Sequence, residues 1–298
     1  MMISRTMQAL LKEKPLYCAV VNKFAEPEAT QYLHNHGCKP INGLPLPCFV
    51  NDPPNTPLPP SPQTTNKLLY YYTLDIASLF PILALGPHPH SNVLDMCAAP
   101  GGKSFALIQL LSLQNSKLGG TLALNDVSHS RLTRLKDVIF SKCLPSSLRH
   151  SVRITNRRGE DWGRTGERDY QCVLVDAPCS SDRHQIKQWI EKGRMYPNTN
   201  ELSKLQEKLL LAALYATESG GTVVYSTCTL STIENDGVIQ RTLDVAREHG
   251  LYFKLNSDIS MFTPLLQLCS YVSTDYGVLI TPTGNTNCGP MYVSKLQN

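Results

Sequence analysis

Residues 92–104 read NVLDMCAAPGGKS, and the punctuation of this stretch decides the fold. Residues 92–96 form a short apolar run of the kind a buried strand requires. Gly101 and Gly102 then break the run, and residues 102–111 read as a helix. A strand that ends in a glycine turn and opens a helix exposes backbone N–H groups and lets the main chain come close to a ligand. The Gly-Lys-Ser ending invites comparison with a phosphate loop, but that pattern needs glycine where Cys97 stands, and GxGxxG is absent. What remains is the short turn that follows the first strand of a nucleoside-binding α/β domain.

Working outward, the same alternation repeats. Residues 121–125, 152–155, 171–176 and 222–226 read as strands, and residues 130–140 as an amphipathic helix. Residues 201–217 read as a long helix closed by Gly220 and Gly221. Such alternation implies an α/β fold, with a mostly parallel sheet carrying helices on both faces and ligands at the carboxyl ends of its strands. Upstream, residues 65–85 place apolar side chains at helical spacing, with Pro81 expected to kink or split the helix. Residues 51–62, NDPPNTPLPPSP, hold six prolines and read as an extended linker. The expected division is therefore an N-terminal extension over 1–50, a Pro-rich linker over 51–65 and a main domain over 66–298.

Composition sets limits. With 298 residues, 42 % hydrophobic and 17 % charged, the chain is long enough for one full catalytic domain and a small appendage. The net charge is only +4, yet residues 131–168 hold ten Arg or Lys against four Asp or Glu. Such a stretch suits phosphates, or is simply a solvated surface. The ten cysteines include no CxxC pair. His34, His36 and Cys38 are close in sequence, but no second pair stands at zinc-site spacing, so no metal is expected. No secretory signal is read, which implies free thiols in a reducing compartment. No apolar run reaches the ~20 residues of a membrane span. Residues 1–14, MMISRTMQALLKEK, suit a short transit peptide or a helix, with Glu13 against the former.

Three further stretches carry chemistry. Asp126 ends the strand at 121–125, about 20 residues past the glycine turn, where an acid accepts hydrogen bonds from ribose hydroxyls. Arg131, one turn into the next helix, supports it. In VLVDAPCSSDRH, residues 173–184, Pro178 turns the chain and leaves Asp176 and Cys179 at the ligand edge; the plainer reading of Cys179 is a small buried hydrophobe. In VVYSTCTLSTIEND, residues 223–236, another strand delivers Cys228 to the same edge, with Glu234 and Asn235 just beyond. A cysteine thiolate is the best common nucleophile near neutral pH.

Taken together, DMCAAPGGKS, Asp126, DAPC and YSTCTLSTIEN resemble the Nop/Sun family of RNA 5-cytosine methyltransferases over roughly residues 66–298. The resemblance implies a Rossmann-like class I S-adenosylmethionine-dependent fold with a mostly parallel seven-stranded sheet. It implies Cys228 as nucleophile on carbon 6 of cytosine, Cys179 as the second cysteine that resolves the adduct, and Asp176 as the acid near ring N3. Its cofactor positions fall on Cys97, Ala98, Pro100, Gly101, Gly102, Lys103, Asp126, Arg131, Gly159 and Asp176. One position departs from the pattern. Where the family has an acid facing the adenine, NRRGEDWG puts Arg158, with Glu160 or Asp161 as substitutes.

Within the family the chain is most similar to two mitochondrial members. One methylates small-subunit rRNA with a helical-repeat partner of transcription-termination-factor type; the other methylates the wobble cytosine of mitochondrial tRNA-Met. AVVNKFA and AALYATESGGTVVYSTC lean to the first. The implied compartment is the mitochondrial matrix. Binding of rRNA or tRNA is expected at Arg153, Arg157 and Arg158 and in the loop 184–200, where Lys187, Trp189, Lys192, Arg194 and Tyr196 mix cations with aromatics. Two alternatives stay open: a DNA cytosine methyltransferase using the Pro-Cys at 178–179, against which Cys228 argues, and a non-catalytic RNA-binding assembly factor. NDPPN at 51–55 lacks the aromatic of an amino-group methyltransferase motif and reads as linker.

Overall fold

Residues 17–21, YCAVV, are apolar almost without a break and form β1 (Tyr17–Val21), a central strand with four of its five residues buried. It pairs antiparallel with β3 (Cys48–Val50) on one side and β4 (Tyr71–Asp75) on the other, and β2 (Lys39–Pro40) completes a four-stranded sheet in the order β2-β3-β1-β4. One face takes α1 (Glu28–Asn35), whose Ala29 and Leu33 pack on Val21, Phe49 and Tyr71. The other face, with Cys18, Val20 and Leu74, merges with the core of the main domain. These features come from the computed structural model, which describes residues 14–53, 56–113, 117–163, 168–184, 199–283 and 287–298.

β4 lies beyond the Pro-rich stretch, so residues 51–65 connect strands of one sheet rather than two separate units. The stretch is strapped down by Tyr32, whose hydroxyl donates to the Pro60 carbonyl at 3.0 Å, and by Tyr71, whose hydroxyl donates to the Pro59 carbonyl. The helix expected over 65–85 is likewise divided. Residues 71–75 are strand, 76–78 form a single 3-10 turn, and only α2 (Leu79–Leu85) is α-helical. Pro81 is the third residue of α2, in its first turn, where a missing N–H has no intrahelical partner to lose.

In the main sheet β5 (Asn92–Asp95), β6 (Thr121–Asn125), β7 (Val152–Thr155), β8 (Tyr170–Asp176) and β9 (Thr217–Thr227) run parallel. Their connections include α3 (Gly102–Leu111), α4 (His129–Lys136), which continues as a π-helical run over Asp137–Cys143, and α5 (Thr199–Ala216). The glycines expected to close α5 lie inside β9 instead. The Thr217 hydroxyl caps the Ala213 carbonyl at 2.7 Å, and the register against β8 shifts before Thr222, with Gly220 at φ +78°.

After α6 (Asp236–Glu248), the chain adds β10 (Lys254–Leu255), β11 (Ser270–Ser273), β12 (Val278–Thr281) and β13 (Met291–Gln297), all antiparallel to their neighbours. Among the described residues the sheet has nine strands in the order β11-β12-β13-β9-β8-β5-β6-β7, with β10 on β13. The run from β12 to β7 is the expected seven-stranded Rossmann-like sheet; β10 and β11 extend it. One face packs on α2, α3, α4 and the N-terminal sheet, the other on α5 and α6. The five parallel strands all end at one edge, and the site lies there.

Candidate active site

β8 and β9 are neighbours with Asp176 opposite Ser226, so residues just past either strand are carried to the same place. Cys179 and Cys228 meet there, their sulfurs 3.2 Å apart as free thiols. The Cys228 backbone N–H donates to Cys179 Sγ at 3.3 Å, and Ser181 Oγ lies 3.3 Å from Cys228 Sγ. The two thiols are not equivalent. The Cys179 hydrogen bond holds Cys228 below the ordinary thiol range; burial opposes this, and Ser181 and Lys103 assist. Cys179 is pushed well up, first by Cys228 and then by burial. Of the two thiols, Cys228 is therefore the readier to give up its proton and Cys179 the readier to keep it.

Beside them Lys103 Nζ donates to Asp176 Oδ2 at 2.8 Å, and the Ser226 hydroxyl donates to Asp176 Oδ1 at 2.9 Å. Burial works against the charge on Lys103, but Asp176 and then Cys228 outweigh it, so its pKa is raised and the ammonium is kept. Beneath the turn the Ser104 hydroxyl donates to Asp95 at 2.7 Å.

A cleft of about 310 Å³ runs from the cysteines along the glycine turn. Of the positions singled out from sequence, it is lined by Cys97, Pro100, Lys103, Asp126, Arg131, Gly159, Asp176, Cys179 and Cys228. Asp126 accepts from the backbone N–H groups of Ala99 at 3.2 Å and Ser128 at 2.9 Å, and Arg131 stands 3.5 Å from it. Burial and three neighbouring carboxylates push the Cys97 thiol well up, against Arg131. Ala98, Gly101 and Gly102 do not line the cleft. A Cβ at Gly101 (φ +116°) would meet Leu135 and Val138 at 3.1–3.3 Å, and one at Gly102 would stand 2.8 Å from Leu74. The absence of a side chain at these glycines lets α4, its π-helical continuation and β4 pack closely on the turn.

Arg158, which stands in the place of the expected acid, does not line this cleft. Its side chain is 69 % exposed and its Nε donates to Glu160 at 3.1 Å. Glu160 lines the cleft; Asp161 does not. Burial raises the Glu160 carboxyl, but its own backbone N–H and Arg158 prevail and hold it low. Arg153 and Arg157 are not simply solvated. Arg153 donates to the Tyr170 hydroxyl at 2.8 Å, and Arg157 stacks 4.6 Å from the centre of the Trp162 ring. The RNA-binding residues expected in the loop 184–200, Lys187 to Tyr196, lie outside the described residues. Sequence reading missed Ser181 and Gln206. Ser181 is inside the quoted cysteine motif, whereas Gln206 carries no local signal because its partners are distant in the chain.

Among the described residues no group of three or more His, Cys, Asp or Glu side chains is disposed to hold a metal, and no helix is long and apolar enough to cross a membrane. The family model described as 16S rRNA methyltransferase RsmB/F matches residues 82–297. The chain belongs to this family. Among RsmB/F relatives, it is 39 % identical over 248 residues to the Mus musculus 5-cytosine rRNA methyltransferase NSUN4, covering 80 % of this chain and 62 % of that one. It is 36 % identical over 278 residues to the Danio rerio mitochondrial tRNA (cytosine(34)-C(5))-methyltransferase, covering 90 % and 71 %. The chain thus spans 62 % of the length of the first relative. The solved structure of NSun6 from Pyrococcus horikoshii with SFG shares the fold, with a TM-score of 0.73 at 18 % identity over 98 % of this chain and 93 % of that one.

Proposed function

We propose that this chain is an S-adenosylmethionine-dependent RNA cytosine-C5 methyltransferase that works through a covalent bond from Cys228 to carbon 6 of the base. The observation that carries the reading is the 3.2 Å pair of sulfurs with opposite proton preferences beside a half-buried Lys103–Asp176 pair. The cleft also suits the cofactor. Asp126 offers a fixed carboxylate for ribose hydroxyls, Met96, Leu205 and Leu209 offer apolar walls for a purine, and Glu160 stands at the end lined by Gly159. When bound, the cofactor supplies an electrophilic methyl group.

The protein's part follows from the positions of its side chains. Cytosine C5 is a poor nucleophile until a thiolate adds to C6. Cys228 forms that bond while the Lys103–Asp176 pair delivers a proton to ring N3. C5, now enamine-like, takes the methyl group. Water in the open cleft takes the C5 proton as the C5–C6 double bond re-forms and the C6–S electron pair returns to Cys228, and N3 gives its proton back to the Lys103–Asp176 pair. Cys179 donates its S–H to the departing Cys228 sulfur, which eases release. The base must be unpaired or flipped out, since C6 is shielded within a stacked helix.

For substrate we favour mitochondrial small-subunit rRNA, supported by the 39 % identity to the mouse rRNA enzyme. The second reading is the tRNA wobble cytosine, favoured by the larger share of the zebrafish tRNA enzyme that the chain covers, 71 % against 62 %. A matrix location and a helical-repeat protein partner complete the proposal and rest on the family resemblance. Bisulfite sequencing of mitochondrial RNA from cells lacking the protein, rescued by wild type or Cys228→Ala, tests it. Loss of one rRNA methylcytosine restored only by wild type is expected. Loss confined to tRNA-Met selects the second reading, and full rescue by Cys228→Ala overturns catalysis and leaves an assembly factor.

A further inference from the structure

Glu234 and Asn235 are adjacent in sequence and buried, yet their side chains reach to different cysteines. Glu234 Oε2 accepts from the Ser180 backbone N–H at 2.9 Å and from Gln206 Nε2 at 2.9 Å. The same Gln206 nitrogen donates to the Pro178 carbonyl at 2.8 Å. The peptide groups on both sides of Cys179 therefore end on one carboxylate–amide pair. Asn235 holds the two neighbours of Cys228 instead, through one side chain and one carbonyl. Its Oδ1 accepts from the Thr227 hydroxyl at 2.6 Å, and its Nδ2 donates to the Thr229 carbonyl at 2.9 Å. The two halves touch where Ser180 Oγ and Thr229 Oγ1 lie 2.7 Å apart.

This network is an expensive way to hold two loops. Glu234 Oε1 and Gln206 Oε1 are buried without a hydrogen-bond partner, and a buried acceptor left unmet costs stability that an apolar pair would not. What the polar pair supplies that apolar packing cannot is direction. Hydrogen bonds fix the peptide planes on either side of Cys179, and with them the path of its Cα–Cβ bond. The Tyr225 hydroxyl, donating to the Glu234 carbonyl at 2.6 Å, anchors the dipeptide to β9 itself.

We propose that Glu234 and Asn235 are positioning residues with divided tasks, Glu234 setting Cys179 through Ser180 and Gln206, and Asn235 setting Cys228 through Thr227 and Thr229. The division rests on the covalent reading above, in which Cys228 adds and Cys179 assists release. Loosening the Glu234 side then slows release, whereas loosening the Asn235 side slows addition.

The test uses the full chain with two readouts. One is the RNA–protein adduct that survives denaturing gels. The other, without RNA, is the pH dependence of Cys228 alkylation by iodoacetamide, followed by mass spectrometry. Glu234→Ala is expected to accumulate adduct, to turn over about tenfold more slowly or worse because small misplacements are costly, and to move the Cys228 alkylation midpoint upward. Glu234→Gln restores wild-type behaviour, since its oxygen still accepts both bonds. Asn235→Ala forms adduct about tenfold more slowly without accumulating it. Should Glu234→Ala fold poorly, Gln206→Leu, which leaves the carboxylate in place, is expected to show the same accumulation and midpoint shift. The proposal is overturned if Glu234→Ala or Gln206→Leu matches wild type in both readouts, or if loss of either side of the dipeptide gives one and the same adduct defect. Adduct formation by Cys228→Ala would sink the covalent reading alone, and the alkylation midpoints would still decide whether Glu234 sets Cys179.

Discussion

Lys103 Nζ lies 2.8 Å from Asp176 Oδ2, so the first turn of α3 is tied to the tip of β8 by an ion pair with only 14 % and 29 % of its side chains exposed. β5 and β8 are adjacent strands, and this pair closes the sheet edge between them. The lysine of the Gly-Lys-Ser turn is thus directed at an acid of the same chain. Removing the cation leaves a carboxylate with one hydroxyl donor, from Ser226. Lys103→Met is expected to lower unfolding free energy by about 2 kcal/mol, less than for a fully buried pair because Asp176 keeps some solvent. Urea denaturation measures it, and Lys103→Met with Asp176→Asn is expected to recover much of the loss. A stability unchanged in Lys103→Met would show that the pair contributes nothing to folding.

Cys228 and Cys179 act on one sulfur–carbon bond, so their effects should not add. Cys228→Ala is expected to abolish both methylation and adduct. Cys179→Ala is expected to hold RNA as a denaturation-resistant adduct, because the departing sulfur loses its S–H donor at 3.2 Å. The double variant should be no worse than Cys228→Ala alone, as for residues that work as a unit. Adduct in the double variant would mean that a third group is the nucleophile.

Asp95 sets a pH dependence of stability. Its Oδ1 is buried without a partner, and burial pushes its carboxyl up to about 7, with the Ser104 hydroxyl opposing. The native state then holds this proton more tightly than the unfolded chain. The stability this group contributes is present below its unfolded value and is lost as pH climbs from about 4 to about 7. Asp95→Asn cannot ionise, so the variant should gain on wild type across that window, by a few kcal/mol at most. Asp75, pushed up to about 6 by burial, drifts the same way in both proteins and cancels in the difference. Parallel stability–pH curves for the two proteins would contradict this.

Most of the parallel half of the sheet was legible because β5, β6 and β8 are buried along most of their length and read as apolar runs, whereas β7, VRIT, is buried only at Val152 and was found by its place in the alternation. Residues 121–125 and 152–155 match β6 and β7 at both ends. The antiparallel half was not. β11, SYVS, is mostly exposed and β12, VLIT, is only half buried, so neither carries that signal. Residues 71–75 were misassigned because YYTLD between apolar neighbours fits a helical period as well as a strand, and only pairing with β1 decides. Around the site, Cys179, Cys228, Asp126 and Asp176 could be singled out because each sits at a strand end. Gln206 could not, because its meaning lies in contacts with Pro178 and Glu234, 28 residues away on either side. Charge alone also gave no sign that the Arg157 guanidinium lies on Trp162.

The exchange of an acid for Arg158 makes a last prediction, because the structure gives the two neighbouring charges different places. Glu160 lines the cleft and Arg158 stands outside it, 69 % exposed, donating to the Glu160 carboxylate. If an acid at this end accepts from the adenine amino group, the acid is Glu160. Glu160→Ala is then expected to weaken S-adenosylmethionine binding by about tenfold, the worth of one hydrogen bond to a charged group. Arg158→Ala should change it by less than about twofold, since an exposed pair contributes little. Asp126→Ala should be the most damaging of the three, because it removes the fixed carboxylate and frees the Ala99 and Ser128 amides together. Calorimetric titration of the three variants with S-adenosylmethionine gives the order. A larger loss in Arg158→Ala than in Glu160→Ala would mean that the arginine itself meets the cofactor, and that the side-chain positions at this end of the cleft change on binding.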